Sequence, residues 1–232
     1  MKKTAKLLTL AVALFAGLSG TAQAEGSSKA EGFKLGVDVV SSYVWRGSAL
    51  SDSPAIQPSV SYTFPGIGVV VGGWGTNAVS ETLFKRYQET DLYVTVPAGP
   101  VNITLTDYYI PSQSLTASTR AFDFKNDGPN TLDLTAAYDI NDFSLLGSVF
   151  VGGQTFSNAK YFEVAYKFHQ KDKYTAKAVL GLGDEGAYAP SKGSNNVNLV
   201  NLGCTVSKEN FSASYIYNPA EEKSNLVFTA SF

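Results

Sequence analysis

From Phe33 to Arg46 the side chains alternate in character at every step. Phe33, Leu35, Val37, Val39, Ser41, Tyr43 and Trp45 share one parity, and Lys34, Gly36, Asp38, Val40, Ser42, Val44 and Arg46 share the other. A period of two is the mark of a pleated strand whose faces meet different surroundings. The same split recurs in Thr131–Asp139, with Leu132, Leu134, Ala136 and Tyr138 against Asp133, Thr135 and Asp139. It recurs again in Lys160–Phe168, with Phe162, Val164, Tyr166 and Phe168 against Tyr161, Glu163, Ala165 and Lys167. The pattern predicts twelve strands, near 32–46, 56–64, 66–77, 86–97, 100–110, 131–139, 143–152, 159–169, 174–183, 196–206, 210–218 and 224–232. No long segment carries the 3.6-residue period of a helix.

The predicted connections alternate in length. Pro65-Gly66, Ala98-Gly99-Pro100, Ile140-Asn141-Asp142, Gln170–Lys173 and Ser207–Asn210 are tight, while those between them are mostly longer and polar, up to Pro111–Gly128. Short turns at one end and long loops at the other predict an all-β fold, a 12-stranded antiparallel transmembrane up-and-down β-barrel. In such a barrel the apolar parity faces lipid and the polar parity faces the lumen. The charges obey this rule, Asp107 being the main exception inside a strand. A soluble β-sandwich would also keep charge off one face, but it has no reason to ring one end with aromatic residues. Phe33, Phe64, Tyr138, Phe143, Phe168, Tyr174, Phe211 and Phe232 all have the apolar parity and flank short turns or termini, as an interfacial girdle requires.

The first residues predict export. Lys2, Lys3 and Lys6 precede the apolar run Leu7–Leu18, and Ala22-Gln23-Ala24 offers a small-x-small cleavage site. Residues 1–24 are therefore expected to be a cleaved secretory signal peptide and 25–232 the barrel, placed in the cell outer membrane. Leu226, Phe228, Ala230 and Phe232 alternate to a terminal Phe, which resembles the C-terminal signal read by the barrel-assembly machinery. The chain carries one Cys, one His and a net charge of −2. That excludes a disulfide framework and a Cys-based zinc site, and leaves no basic footprint for nucleic acid. His169 falls at a short turn, no metal spacing or phosphate loop is present, and neither an enzyme nor a cofactor is expected.

Candidate chemistry lies on the inward parity. Arg46, Gln57, Trp74, Glu89 and Asp91 fall at the loop-side ends of the first four predicted strands and are expected on one lumen wall near the mouth. Arg46 could there pair with Glu89 or Asp91. The patch is either a constriction that contacts solute or a salt-bridge brace that fixes register. The other lumen charges include Lys34, Asp38, Asp133, Glu163, Lys167 and Lys177; with Asp139 the inward set has a slight acidic excess and predicts at most weak cation preference.

Ser41-Ser42-Tyr43-Val44-Trp45-Arg46-Gly47, followed by Ser51-Asp52 and Pro54-Ala55-Ile56-Gln57, resembles the opening motif of the TorF-like porin family. Gly72–Asn77 and Glu89–Tyr93 resemble its next two blocks, so the likeness spans roughly residues 37–110, with Trp45 where that family more often has Phe. The resemblance implies an outer-membrane barrel of about this length. Twelve strands close into a backbone cylinder about 24 Å across, which leaves room for water and small solutes. The reading is thus a weakly selective porin-like channel for small hydrophilic solutes, with outer-membrane lipid around it. A non-conducting barrel with a structural or surface-binding role is the alternative. Pro111–Gly128 is long enough to fold inward.

Overall fold

The computed structural model describes residues 32–80, 86–111, 119–125, 128–153, 158–190 and 196–232. The predicted signal peptide lies outside the described residues. Twelve strands form one closed antiparallel barrel, and two more form a separate hairpin. In chain order the elements are β1 (Gly32–Val40), β2 (Tyr43–Trp45), β3 (Ser48–Ser51), β4 (Ala55–Thr63), β5 (Val70–Ala78), β6 (Gln88–Ala98) and β7 (Val101–Tyr109). There follow β8 (Asn130–Ile140), β9 (Phe143–Gly153), β10 (Lys160–Lys171), β11 (Tyr174–Asp184), the single-turn helix α1 (Glu185–Tyr188), β12 (Val197–Lys208), β13 (Phe211–Asn218) and β14 (Lys223–Ser231). Neighbours in the wall are neighbours in sequence. The seam is β1 on β14, where the terminal residue closes the ring: Phe232 donates to Val37 O at 2.9 Å and Val37 N donates back at 3.0 Å.

The short turns have the backbone that tight hairpins need. Asp172 and Lys173 both have positive φ, matching the right-handed twist of the strands they join. The wall is inside-out relative to a soluble protein. Leu35, Val60, Leu92, Leu134, Phe162, Leu180 and Phe228 are exposed on its outer face, whereas inward Thr104, Asp133, Asn201 and Ser214 are at most 1% exposed. The aromatic set expected at the short-turn end lies there, at strand ends and turns. Asp107 keeps its outward parity near the long-loop end of β7, where it accepts a 2.8 Å hydrogen bond from Asn130 Nδ2. The register shift between Leu132 and Asp133 lies beside it on β8.

Two expected strands are corrected. The one expected over 66–77 begins at Val70, so its connection from β4 spans residues 64–69 rather than the tight Pro65-Gly66 turn. The predicted strand 32–46 stops at Val40, and residues 43–51 leave the wall as the β2–β3 hairpin, which folds into the lumen. Tyr43 and Trp45, expected on the lipid face, are inside: Tyr43 packs with Ala78 and Tyr87, and Trp45 meets Tyr108, Phe150 and Tyr188. Alternation reports two environments but not which sheet a strand joins. A packed lumen rewards Tyr and Trp as lipid does.

A hairpin latched across the lumen

The turn of the hairpin is Arg46-Gly47, with φ of 49° and 86°. Two positive values are the type I′ arrangement of a two-residue hairpin loop. Gly accepts this freely, but Arg does not, at about 1–2 kcal/mol. Arg46 holds that conformation where its side chain is gripped on every side. Its Nη2 donates to Asp133 Oδ2 of β8 at 2.8 Å, and its Nη1 donates to the Tyr188 hydroxyl of α1 at 2.9 Å. Its guanidinium carbon lies 4.4 Å from the Trp45 ring centroid, 4.9 Å from that of Tyr161 and 5.9 Å from that of Tyr188. Arg46 is 6% exposed and Asp133 is fully buried. Removing one partner of such a buried pair typically costs about 3–5 kcal/mol, because a charge is stranded away from water.

The surrounding wall is arranged for this contact. Tyr108 donates to the same Asp133 oxygen at 3.0 Å, and Thr135 reaches it at 3.4 Å. Tyr161 donates to Glu163 Oε2 at 2.6 Å and accepts from Asn201 Nδ2 at 3.0 Å. The rings of Tyr161 and Tyr188 have room because Gly181 and Gly183 face them; a Cβ at Gly183 would sit 2.5 Å from Tyr188 Cδ2. Ser48 Oγ and Asn218 Nδ2 both donate to the Tyr188 carbonyl, at 2.7 and 2.9 Å. Gly47 sits so close to β12 that a Cβ there would lie 1.9 Å from Val200 O. The hairpin therefore touches the far wall with its backbone, and not only with the arginine.

Its root rests on the opposite wall. Tyr43 meets the tilted rings of Trp74 and Tyr87 at centroid distances of 5.5 and 5.7 Å, while Val44 packs back toward the β12 side, among Ala165, Val179, Ile216 and Val227 of β10, β11, β13 and β14. Four of the five candidate residues line β4–β6 beneath this root. Gln57 Nε2 donates to Thr76 Oγ1 at 3.2 Å, Trp74 lies beside Asp91 across the β5–β6 pair, and Tyr87 donates to Glu89 Oε2 at 2.8 Å. Arg46 does not join them. Its expected pairing with Glu89 or Asp91 is replaced by Asp133, 87 residues along the chain, because the turn carries it off the first strand and across the bore.

The other predicted lumen charges are dispersed. Asp38 lies in β1 opposite Gln57 and Ser231, and Glu163 borders the Arg46 pocket. Lys34 sits near the short-turn end of β1. Lys177 pairs in register with Lys167, which lies 3.7 Å from Asp142. Sequence reasoning missed Tyr108, Phe150, Tyr161, Tyr188 and Asn201 as parts of the pocket. The available signal was Trp45-Arg46-Gly47-Ser48, a Gly-containing two-residue turn between alternating segments.

Among solved structures, Salmonella typhi OmpF in complex with daunomycin is similar to this chain at 8% identity and a TM-score of 0.31, covering 88% of this chain and 98% of that one. No curated protein matches the sequence. The family model for Gcw_chp, described as a bacterial protein of unknown function, matches residues 23–229, and the chain belongs to that family.

Proposed function

We propose that this chain is a porin-like barrel of the outer membrane, of the TorF-like kind, in which the β2–β3 hairpin is the constriction. The observation that carries the reading is a hairpin latched from wall to wall inside a closed barrel with an apolar outer face. An exposed belt of Leu, Val and Phe over a polar, buried interior fits a bilayer and no aqueous setting. Export by the N-terminal segment and insertion by the barrel-assembly machinery through the Phe232 end complete the reading. No step of it calls for catalysis. Small hydrophilic solutes pass only where the hairpin leaves room or withdraws, and the inward carboxylates favour cations weakly.

The burial of mid-barrel Thr104, Thr106 and Ser214 favours a second reading, a sealed barrel with a structural or surface-binding role. Planar-bilayer conductance separates the two. The wild-type chain is compared with a variant in which residues 43–51 are replaced by a short Gly-Ser link, both verified as folded by heat-modifiable mobility. Small or rare openings that become large and frequent in the variant support the constriction. Silence from both folded proteins refutes it in favour of the sealed barrel.

A further inference from the structure

We infer that the pocket around Arg46 is a recognition site for a small organic cation of the guanidinium or alkylammonium class, with Arg46 acting as a tethered occupant. The inference deepens the constriction reading, on which it rests, by naming what competes with the latch.

Three features point to this chemistry. First, the pocket grips a cation by ring faces as well as by charge. The faces of Tyr161 and Tyr188 stand with the Asp133 carboxylate around one guanidinium. A register brace needs only the ion pair, whereas aromatic faces around a carboxylate are the means by which proteins recognise organic cations. Second, the pocket has more acceptors than Arg46 uses. Among the described residues, Asp133 Oδ1 and Asn201 Oδ1 are buried without a hydrogen-bond partner. Glu163, joined to the pocket through Tyr161 and Asn201, makes no ion pair among the described residues. Asp133 thus keeps an acceptor beyond the one that Arg46 uses, and buried acceptors of this kind call for N–H donors. Third, the occupant and the site belong to separate sheets. The pocket residues stand on β7, β8, β9, β10, β12 and α1, while Arg46 rides a two-stranded sheet that shares no ladder with the barrel. A two-stranded hairpin is marginal by itself, so its docking depends on what its side chains grip.

A tethered side chain competes at an effective concentration of about millimolar. Free cation is therefore expected to act on the wild type only near or above that level, and at least tenfold lower once the tether is cut. The test uses the full chain refolded in detergent and needs no conduction. Trp45 emission is followed in a Trp74→Phe background, since the chain has two Trp. Methylguanidinium is the probe and urea the uncharged control. The expected result is a saturable change in the wild-type pocket, a half-saturation at least tenfold lower in Arg46→Ala, and loss of the response when Asp133→Asn is added. Arg46→Lys, which keeps the charge, covers an alanine variant that fails to fold; its half-saturation falls by a smaller factor. An equal response to urea overturns the inference. So does a response confined to Arg46→Ala, which would mark only a truncation cavity, and so does no response in any folded variant. A silent bilayer beside a saturable titration would sink the channel reading and leave the site standing.

Discussion

Substituting Gly47 by Ala tests the latch with a single methyl group and leaves every charge in place. Two costs follow from the structure. The residue has φ of 86°, where a Cβ meets the backbone, at about 1–2 kcal/mol. The new Cβ would also lie 1.9 Å from Val200 O, a backbone atom of the barrel wall that cannot swing aside. Overpacking of this kind costs about 1–3 kcal/mol. The hairpin can escape the second cost only by lifting its tip away from β12, which draws Arg46 off Asp133. Only the second cost distinguishes docked from withdrawn, since the turn keeps its φ in both, so the docked state is disfavoured by about 1–3 kcal/mol, or roughly fivefold to 150-fold in the docking equilibrium. Gly66→Ala is the matched control, because Gly66 also has positive φ, at 79°, but no atom of the described residues lies within 4 Å of its Cβ position. Hydrogen exchange of the amides of residues 43–51 is the assay, read beside open probability in planar bilayers. Faster exchange confined to the hairpin, with more frequent openings, is expected for Gly47→Ala and not for Gly66→Ala. The reasoning fails if both variants exchange like the wild type at 43–51, or if Gly47→Ala loosens the whole barrel evenly.

Three further outcomes are expected. Leu134→Arg, on the exposed outer face of β8, should reduce folding stability in lipid bilayers by about 2–4 kcal/mol; an unchanged midpoint of urea unfolding in vesicles would contradict membrane embedding, since an exposed Leu in water tolerates Arg. Gly72→Ala places a Cβ 2.3 Å from Tyr93 Cζ and should cost about 1–3 kcal/mol, and Tyr93→Ala should abolish that cost in a double-mutant cycle of thermal midpoints. At the β12–β13 turn, the hydrogen bond and charge of Lys173 hold the Glu209 carboxyl below its usual range. Its contribution is present at neutral pH and is lost as pH falls through that lowered value; because the pair is fully exposed, Glu209→Gln should leave the thermal midpoint unchanged between pH 7 and pH 4.

The wall was legible because one physical rule governs all of it. Each strand separates an apolar outside from a polar inside, so period two survives from β4 to β14. The expected 131–139 and 196–206 differ from the observed Asn130–Ile140 and Val197–Lys208 by two residues at most. The site was only half legible. Gln57, Trp74, Glu89 and Asp91 come together because they lie on successive wall strands, where neighbours in space are neighbours in sequence. Arg46 obeys no such rule. Its partner is set by the reach of a hairpin across the bore, and parity carries no information about the opposite wall. Tyr43 and Trp45 failed for a related reason, since the inside of a plugged barrel and the surface of one in lipid favour the same side chains.

The latch also fixes how such a barrel can respond to its surroundings. A ligand shifts the hairpin only by its difference in affinity for the docked and withdrawn states, so a solute bound equally to both opens nothing, however tightly it binds. Groups outside the pocket, such as Lys34 and Lys177 toward the short-turn end, would meet a solute in the proposed channel whether or not Arg46 is docked. Asp133, Tyr161 and Tyr188 are different, because Arg46 already occupies them. The affinity for a free cation proposed for them would be expressed only when the hairpin yields, and all of it would then count toward opening. To move a docked population from 1:99 to 99:1 takes a differential of about 5.5 kcal/mol, a ratio near ten thousand. A single small cation at millimolar affinity supplies less. The wild-type hairpin is thus expected to open partially and in proportion to cation concentration, whereas a strained tip such as that of Gly47→Ala brings the equilibrium within reach of the same ligand.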